Sequence, residues 1–319
     1  MRSPFFVSPS YVVSKTGIVV ADVHSFAYHH PKEAKKIEHF LYNIAHAVVV
    51  YAPAALTCFE LFDVQQYCPE WSSVQSIYCI VDEHAAVSVK DRSKKKCGKM
   101  FVQHFFFFVH AYAQLAIYSD DAHVAGHWYM VSYRMQLEPY AKIRMQSMLH
   151  AAEKIKMDIQ SHLAASASCT IQIGVLLAQS QQAHITSLQH HAGADSISSF
   201  LTKGVLATGA SYIYQGKIKI DEHAVLSHAE LDHRALLLDD GVFSQSMPEL
   251  EVKTDAVVCR HASAVSSYDE EMLWYLSSRG MAYVQARKCL MDSFFSFDVK
   301  NGHEVAFWHQ KKERVQKFF

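Results

Sequence analysis

No stretch of these 319 residues offers the roughly 20 uninterrupted apolar residues that a membrane helix needs. The two greasiest candidates fail on polar interruptions: residues 101–117 carry Gln103, His104 and His110, and residues 41–62 carry Asn43, His46 and Pro53. An excess of one charge is equally absent. Lys and Arg total 30 against 31 Asp and Glu, which removes the electrostatic reason to expect nucleic acid or an acidic membrane as a partner. The one basic run, from Arg92 to Lys99, reads as a solvated loop between strands. Cysteine comes to an odd 7 with no CxxC pair, and the sequence does not start on a charged segment leading into a long apolar one. The expectation is a reducing compartment, the cytoplasm, with no disulfide framework. Walker A and GxGxxG turns, the GxSxG elbow and the HExxH helix are missing too, so no motif points to catalysis.

What is present is core material: 50% hydrophobic and 12% aromatic residues against 19% charged, the balance of a folded, apolar-rich chain. Near the start, Pro31 suits a first helical turn, and Ile37, Phe40, Leu41 and Ile44 recur at helical spacing. Ala47–Tyr51 then reads as a buried strand ended by Pro53. From about residue 70 short alternating segments take over, several led by an alanine: Ala85-Val87-Val89, Ala113-Leu115-Ile117, Ala141-Ile143-Met145, Ala167-Cys169-Ile171, Ala210-Tyr212-Tyr214 and Ala224-Leu226. Most of these alanines fall near multiples of about 14 residues apart, and the tetrapeptide Asp-Glu-His-Ala occurs at 82–85 and again at 221–224. Alternation marks strands with one buried face, and fixed spacing between them marks a solenoid with a small residue at each corner. The 43-residue step from Ala167 to Ala210 breaks the rhythm and keeps an ordinary β-sandwich open.

After Ala264 the pattern becomes helical. Asp269 suits an N-cap, Met272, Leu273, Tyr275 and Leu276 line one side, and Arg279-Gly280 closes the helix. A second helix carries Val284, Leu290, Met291, Phe294 and Phe295, and residues 303–319 read as an amphipathic terminal helix.

With 21 histidines, chance clusters are expected: His29-His30, His190-His191, and His223, His228 and His233 at intervals of five, which fit neither a strand face nor a helix face. Cys259 and His261 differ. Two apart in an alternating stretch, they share one strand face with Arg260 opposite, and thiolate plus imidazole suits iron–sulfur species, copper or zinc. Two donors do not fill a tetrahedral site, and the same pair also fits a small core cysteine beside a hydrogen-bonded histidine.

The segment from Arg234 through Leu236-Leu237-Leu238, Pro248-Glu249-Leu250-Glu251 and Asp255 to Cys259-Arg260-His261 resembles the signature of the SufB/SufD family of iron–sulfur cluster assembly proteins. Asp269-Glu-Glu-Met-Leu-Trp-Tyr-Leu-Ser-Ser-Arg-Gly280 resembles the family's next hallmark helix, and the likeness runs continuously over about 203–295. Cys-x-His is similar to the SufD branch. Arg260 and Ala262 stand where the family usually has a small residue and a glycine, and His233 and Ala235 where asparagines are common.

The resemblance implies a mainly β fold, a right-handed parallel β-helix flanked by small helical regions. The expected division is a helical and mixed region over 1–69, the β-helix over 70–265 and a helical region over 266–319. It further implies a non-catalytic scaffold that pairs with a SufB-like subunit through the β-helix. SufC-like ATPase subunits would dock on the C-terminal helices. No stably bound cofactor is expected; a transient iron–sulfur cluster would be met at Cys259 and His261, the latter falling on the family's functional interface histidine. The alternative is a homodimeric paralogue that stabilises the complex without ligating a cluster. A β-helix enzyme acting on carbohydrate would need carboxylates clustered on one face, and the acids from Glu222 to Asp255 show no turn-to-turn spacing.

Overall fold

The computed structural model describes residues 11–14, 18–37, 47–63, 74–92, 100–120, 128–150, 152–267, 269–299 and 302–316. Its strands are β1 (Tyr11–Val13), β2 (Val19–Asp22), β3 (Ala47–Ala52), β4 (Thr57–Asp63), β5 (Val74–Val81), β6 (Ala86–Arg92), β7 (Met100–Val109), β8 (Gln114–Asp120) and β9 (Trp128–Leu137). They continue as β10 (Lys142–Leu149), β11 (Lys154–Leu163), β12 (Ser168–Leu177), β13 (Gln182–His191), β14 (Ile197–Leu206), β15 (Ser211–Ile220), β16 (His228–Leu237), β17 (Phe243–Val252) and β18 (Val258–Ser267). Helices α1 (Val23–His29) and α2 (Pro31–Ile37) follow β2, and α3 (Glu270–Ser278), α4 (Tyr283–Phe294) and α5 (Gly302–Gln316) follow β18.

Two sheets alternate along the chain. From β3 onward, odd-numbered strands pair in parallel in a 10-stranded sheet, and even-numbered strands in an 8-stranded one. Among the described residues only the β1–β2 and β2–β3 pairs run antiparallel. This is a β-solenoid: each pass of the chain adds one strand to either sheet, and inward side chains from both fill a single core from Ile18 to Ala235. The parallel ladder begins at Ala47, upstream of the residue 70 at which short alternating segments take over in the sequence. Ala47–Ala52 is buried at every position, so it carries no alternation to reveal it as a solenoid strand. The expected Ile37–Ile44 stripe lies largely outside the described residues; α2 covers its start.

The alanine rhythm comes from one corner. Ala85, Ala113, Ala141 and Ala167 are fully buried, and each closes a tight turn by donating its N–H to the carbonyl three residues back, as Ala113 does to His110 at 3.1 Å. The residue just before each is left-handed: His84 (φ 59°), Tyr112 (62°), Tyr140 (64°) and Ser166 (56°). The chain has only 11 glycines, so ordinary residues accept a conformation that disfavours them by about 1–2 kcal/mol each. Turn-to-turn contacts offset that. Tyr112 N donates to Pro139 O at 3.2 Å, and the rings of His84, Tyr112 and Tyr140 stack in parallel at 5.1 and 4.7 Å.

The 43-residue break is the same ladder with a change of residue. Register places Ser168 beside Ile197 and Ile197 beside His228, so the corner after Ala167 falls on Ser196 and then Ser227, both fully buried. Their hydroxyls lie 2.9 Å apart, and Ser196 donates to Gly193 O at 2.9 Å. Ala210 comes just before β15, a strand of the other sheet, and closes the opposite corner by donating its N–H to Ala207 O at 3.2 Å.

The C-terminal helices lie on the outer face of the 8-stranded sheet. Met291, Phe295 and Phe307 bury against Tyr118, Met148, Leu176, Val205 and Leu236. Two ion pairs and one charge-assisted hydrogen bond reinforce the apolar seam: Lys311 with Asp120, Arg144 with Glu304, and Lys203 donating to Ser296 O beneath the Phe297 ring. Asp269 caps α3 by accepting from Met272 N at 3.0 Å, and Gly280 ends the turn at φ 91°, as the residue pattern predicts. Helix α3 buries only Leu273; Met272, Trp274 and Tyr275 are exposed, Trp274 to 74%, so the expected stripe covers less than its pattern suggests.

Candidate functional site at the open end of the solenoid

β17 and β18 are the last strands of their sheets and lie at the same end of the solenoid. Each pairs with one neighbour, β15 and β16 respectively, leaving the other backbone edge open among the described residues. The contrast with the turn before is sharp. Along β16, Ala229, Leu231, His233 and Ala235 are buried, whereas β18 is exposed at nearly every position. An unpaired, exposed strand edge is a template for further pairing.

Cys259 stands beside Ala229 and His261 beside Leu231, two core residues, so both share the inward register of β18. Arg260 faces away, its Nη2 2.6 Å from Glu230 Oε1 on the surface. The strand-face expectation therefore holds for all three. Cys259 is half-buried against the core, and this burial pushes its thiol above the ordinary cysteine range. No cation or helix terminus lowers it, so deprotonation would have to come from a bound metal or from groups on another chain. His261 is exposed. Among the described residues no three His, Cys, Asp or Glu side chains gather as a metal site. Cys259 and His261 supply two donors where a tetrahedral site needs four.

The other histidines separate. His223 and His228 are exposed, while His233 is fully buried inside the solenoid. Its ring stacks on Tyr214 at 5.2 Å and 7°, and its Nδ1 lies 3.3 Å from Ser263 Oγ on β18. Burial drives its pKa down to about 4, so the imidazole is neutral at pH 7. His190 and His191 point to opposite faces of β13. His191 is buried between Ser196 and Ser198, 2.7 Å from each hydroxyl, and burial brings its pKa to about 4.

His190 belongs to a chain that sequence reasoning missed. On the outer face of the 10-stranded sheet its Nε2 sits 2.7 Å from Asp221 Oδ2 and its Nδ1 2.9 Å from His162 Nδ1. Both ring nitrogens are engaged, which makes His190 a tie across three solenoid turns and not a ligand. These partners lie 28 and 31 residues apart, one solenoid turn each. Only the exact turn length would have brought them together in the sequence.

The fold and this end define a class: a parallel β-solenoid with open terminal strands, a Cys-x-His pair on one of them, and a helical appendage on one face. The family described as SUF system FeS cluster assembly, SufBD core domain, matches residues 68–294. The chain belongs to the SufB/SufD family. It is 36% identical over 133 residues to an iron–sulfur cluster assembly SufBD family protein of Mycobacterium leprae, covering 39% of this chain and 34% of that protein. A Mycobacterium bovis protein of the same description is 28% identical over 192 residues, 57% of this chain and 47% of its own length. The iron–sulfur cluster assembly protein SufD of Bacillus subtilis is 31% identical over 116 residues, covering 36% and 26%. The matched region thus spans less than half the length of each of these relatives.

Proposed function

We propose that this chain is a non-catalytic, SufD-like scaffold subunit of a SufB–SufC–SufD-type complex for iron–sulfur cluster assembly, working in the cytoplasm. The observation that carries the reading is the position of Cys259 and His261: inward-facing on a terminal strand whose free edge is open to another chain. A SufB-like solenoid seated on this end would bring the missing donors to the pair. The nascent cluster is the cargo of such a site, held between two chains and not owned by either. Soft thiolate and borderline imidazole donors suit that cargo.

The test is co-expression with SufB- and SufC-like subunits, followed by cluster reconstitution. Pull-down of both partners is expected, and His261→Ala is expected to cut cluster formation about tenfold or more, since losing even an outer-shell partner of a ligand costs about 10–100-fold. An intact complex that builds clusters equally well with His261→Ala would leave the chain the purely structural role of a homodimeric or stabilising paralogue.

The C-terminal helices are the proposed attachment for the ATPase subunit. Trp274 is 74% exposed on α3 with Met272 and Tyr275 beside it, an aromatic anchor of the kind that dominates interface energies. Trp274→Ala is expected to weaken SufC-like binding by roughly 2 kcal/mol, about thirtyfold, with no change in melting temperature. Equal affinities by calorimetry would place the ATPase elsewhere. In this reading, nucleotide-driven rearrangement of the ATPase subunits strains the helices and, through them, the pairing at the open end.

A further inference from the structure

The three cations in the seam between the C-terminal helices and the sheet are not equally matched. Lys311 meets Asp120 and Arg144 meets Glu304, each opposite a carboxylate. Lys203, on β14, is only 7% exposed and has no carboxylate partner among the described residues. Its ammonium donates to Ser296 O and lies 5.0 and 5.9 Å from the centres of the Phe297 and Phe294 rings. Beside it in register stands another cation, Arg234. The neighbouring acid, Asp232, is held by that arginine, through Nε at 3.1 Å and Nη2 at 2.7 Å.

Withdrawing an ammonium from water carries a penalty that one carbonyl and two ring faces do not offset. The balance shows in the group itself: burial first, then Arg234, lower the Lys203 pKa, and Asp232 opposes them. The position of the charge gives it leverage. Residues 295–299 belong to the turn between α4 and α5, and Phe297 there joins Lys203 of the sheet to Trp308 of α5, whose ring stacks on it at 3.9 Å. Trp308 packs this close because Gly174, next to Lys203 in register, has no side chain; a Cβ there would come within 3.3 Å of its ring. The bond to Ser296 O fixes where the turn sits, while the charge that makes the bond opposes its own burial.

We infer that Lys203 is a release charge: an unneutralised cation under the α4–α5 turn that keeps the helical appendage docked but readily displaced. The inference rests on the coupling proposed above, in which the ATPase subunits act on these helices. A seam of apolar contacts and matched ion pairs alone would resist displacement. One mismatched cation at the turn lowers the free energy needed to lift it.

The test is to remove the charge. Lys203→Met keeps the length of the side chain, and hydrogen exchange in α4 and residues 295–299 of the isolated chain is expected to slow about tenfold. Lys203→Gln keeps a donor without the charge and is expected to slow exchange in the same direction, whereas Lys203→Arg is not. In the complex with SufB- and SufC-like subunits, Lys203→Met is expected to leave ATPase-subunit affinity unchanged. Cluster assembly should slow by up to the same factor of about ten, because the released population shrinks by that factor. Exchange as fast as wild type in both Lys203→Met and Lys203→Gln overturns the release charge. Slower exchange with undiminished assembly overturns its role in coupling. A wild-type chain that fails to bind the ATPase subunit overturns the coupling reading and this role with it, while the difference in exchange stands.

Discussion

Gly193→Ala is expected to destabilise the solenoid by about 3 kcal/mol or more, measured by urea unfolding. The reason is backbone on backbone. A Cβ at residue 193 would lie 2.2 Å from Ala165 N, 2.6 Å from Ala164 C and 2.7 Å from Ala165 Cα, all atoms of the turn stacked beneath it. No side chain is available to swing aside. Moving the turn as a whole would strain the bonds that hold the stack: Ala192 N and Gly193 N to Leu163 O at 2.9 and 3.2 Å, Ser166 N to Ala194 O at 2.9 Å, and the Ser196 hydroxyl to Gly193 O. Overpacking alone costs about 1–3 kcal/mol, and each strained bond adds roughly 1. Gly302→Ala is the control, because a Cβ there meets nothing within 4 Å; it should stay within about 0.5 kcal/mol of wild type. A Gly193→Ala chain as stable as the control would show that the turns do not stack as tightly as these distances require.

The same corner shows what was legible in the sequence. Period-2 alternation and the near-28 spacing of Ala85, Ala113 and Ala141 are direct imprints of stacked turns, and they survive because a buried corner admits only a small side chain. The ladder fades from the sequence where serine replaces alanine at 196 and 227, since a hydroxyl fits the same space once His191 and Gly193 O satisfy it. Cys259 and His261 were legible as a pair on one face because strand geometry acts over two residues. His233 with Ser263, and His162 with His190 and Asp221, were not, because their partners come from other turns. A turn length varying from 26 to 32 residues defeats any fixed spacing rule. The start of the solenoid was hidden for the opposite reason: a strand buried on both faces has no alternation, so Ala47–Ala52 reads as a generic apolar run.

Arg144→Met is expected to release the C-terminal helices from the sheet, at a cost of about 3–5 kcal/mol to their docking. Arg144 grips Glu304 with two nitrogens, Nε to Oε1 and Nη2 to Oε2 at 3.0 Å, and donates to Asp298 O at 2.8 Å. Glu304 is fully buried at the start of α5, so without the guanidinium its carboxylate faces a desolvation penalty that undocking relieves. Because the solenoid core does not depend on α5, the release should be local. Hydrogen exchange is expected to accelerate across α4 and α5 while amides of β9 to β15 keep their protection. The double variant Arg144→Met, Glu304→Leu should redock, since replacing both members of a buried pair with apolar groups is often neutral or better. That recovery separates loss of an ion pair from general damage. It also bears on the proposed coupling. Trp274 stands on α3, upstream of the released helices, so Arg144→Met should keep affinity for the ATPase subunit while breaking the mechanical path from it to the sheet. Cluster assembly is then expected to fall with nucleotide hydrolysis intact, and to return in the double variant. Undiminished assembly with α4 and α5 exchanging freely would mean that no force need pass through them.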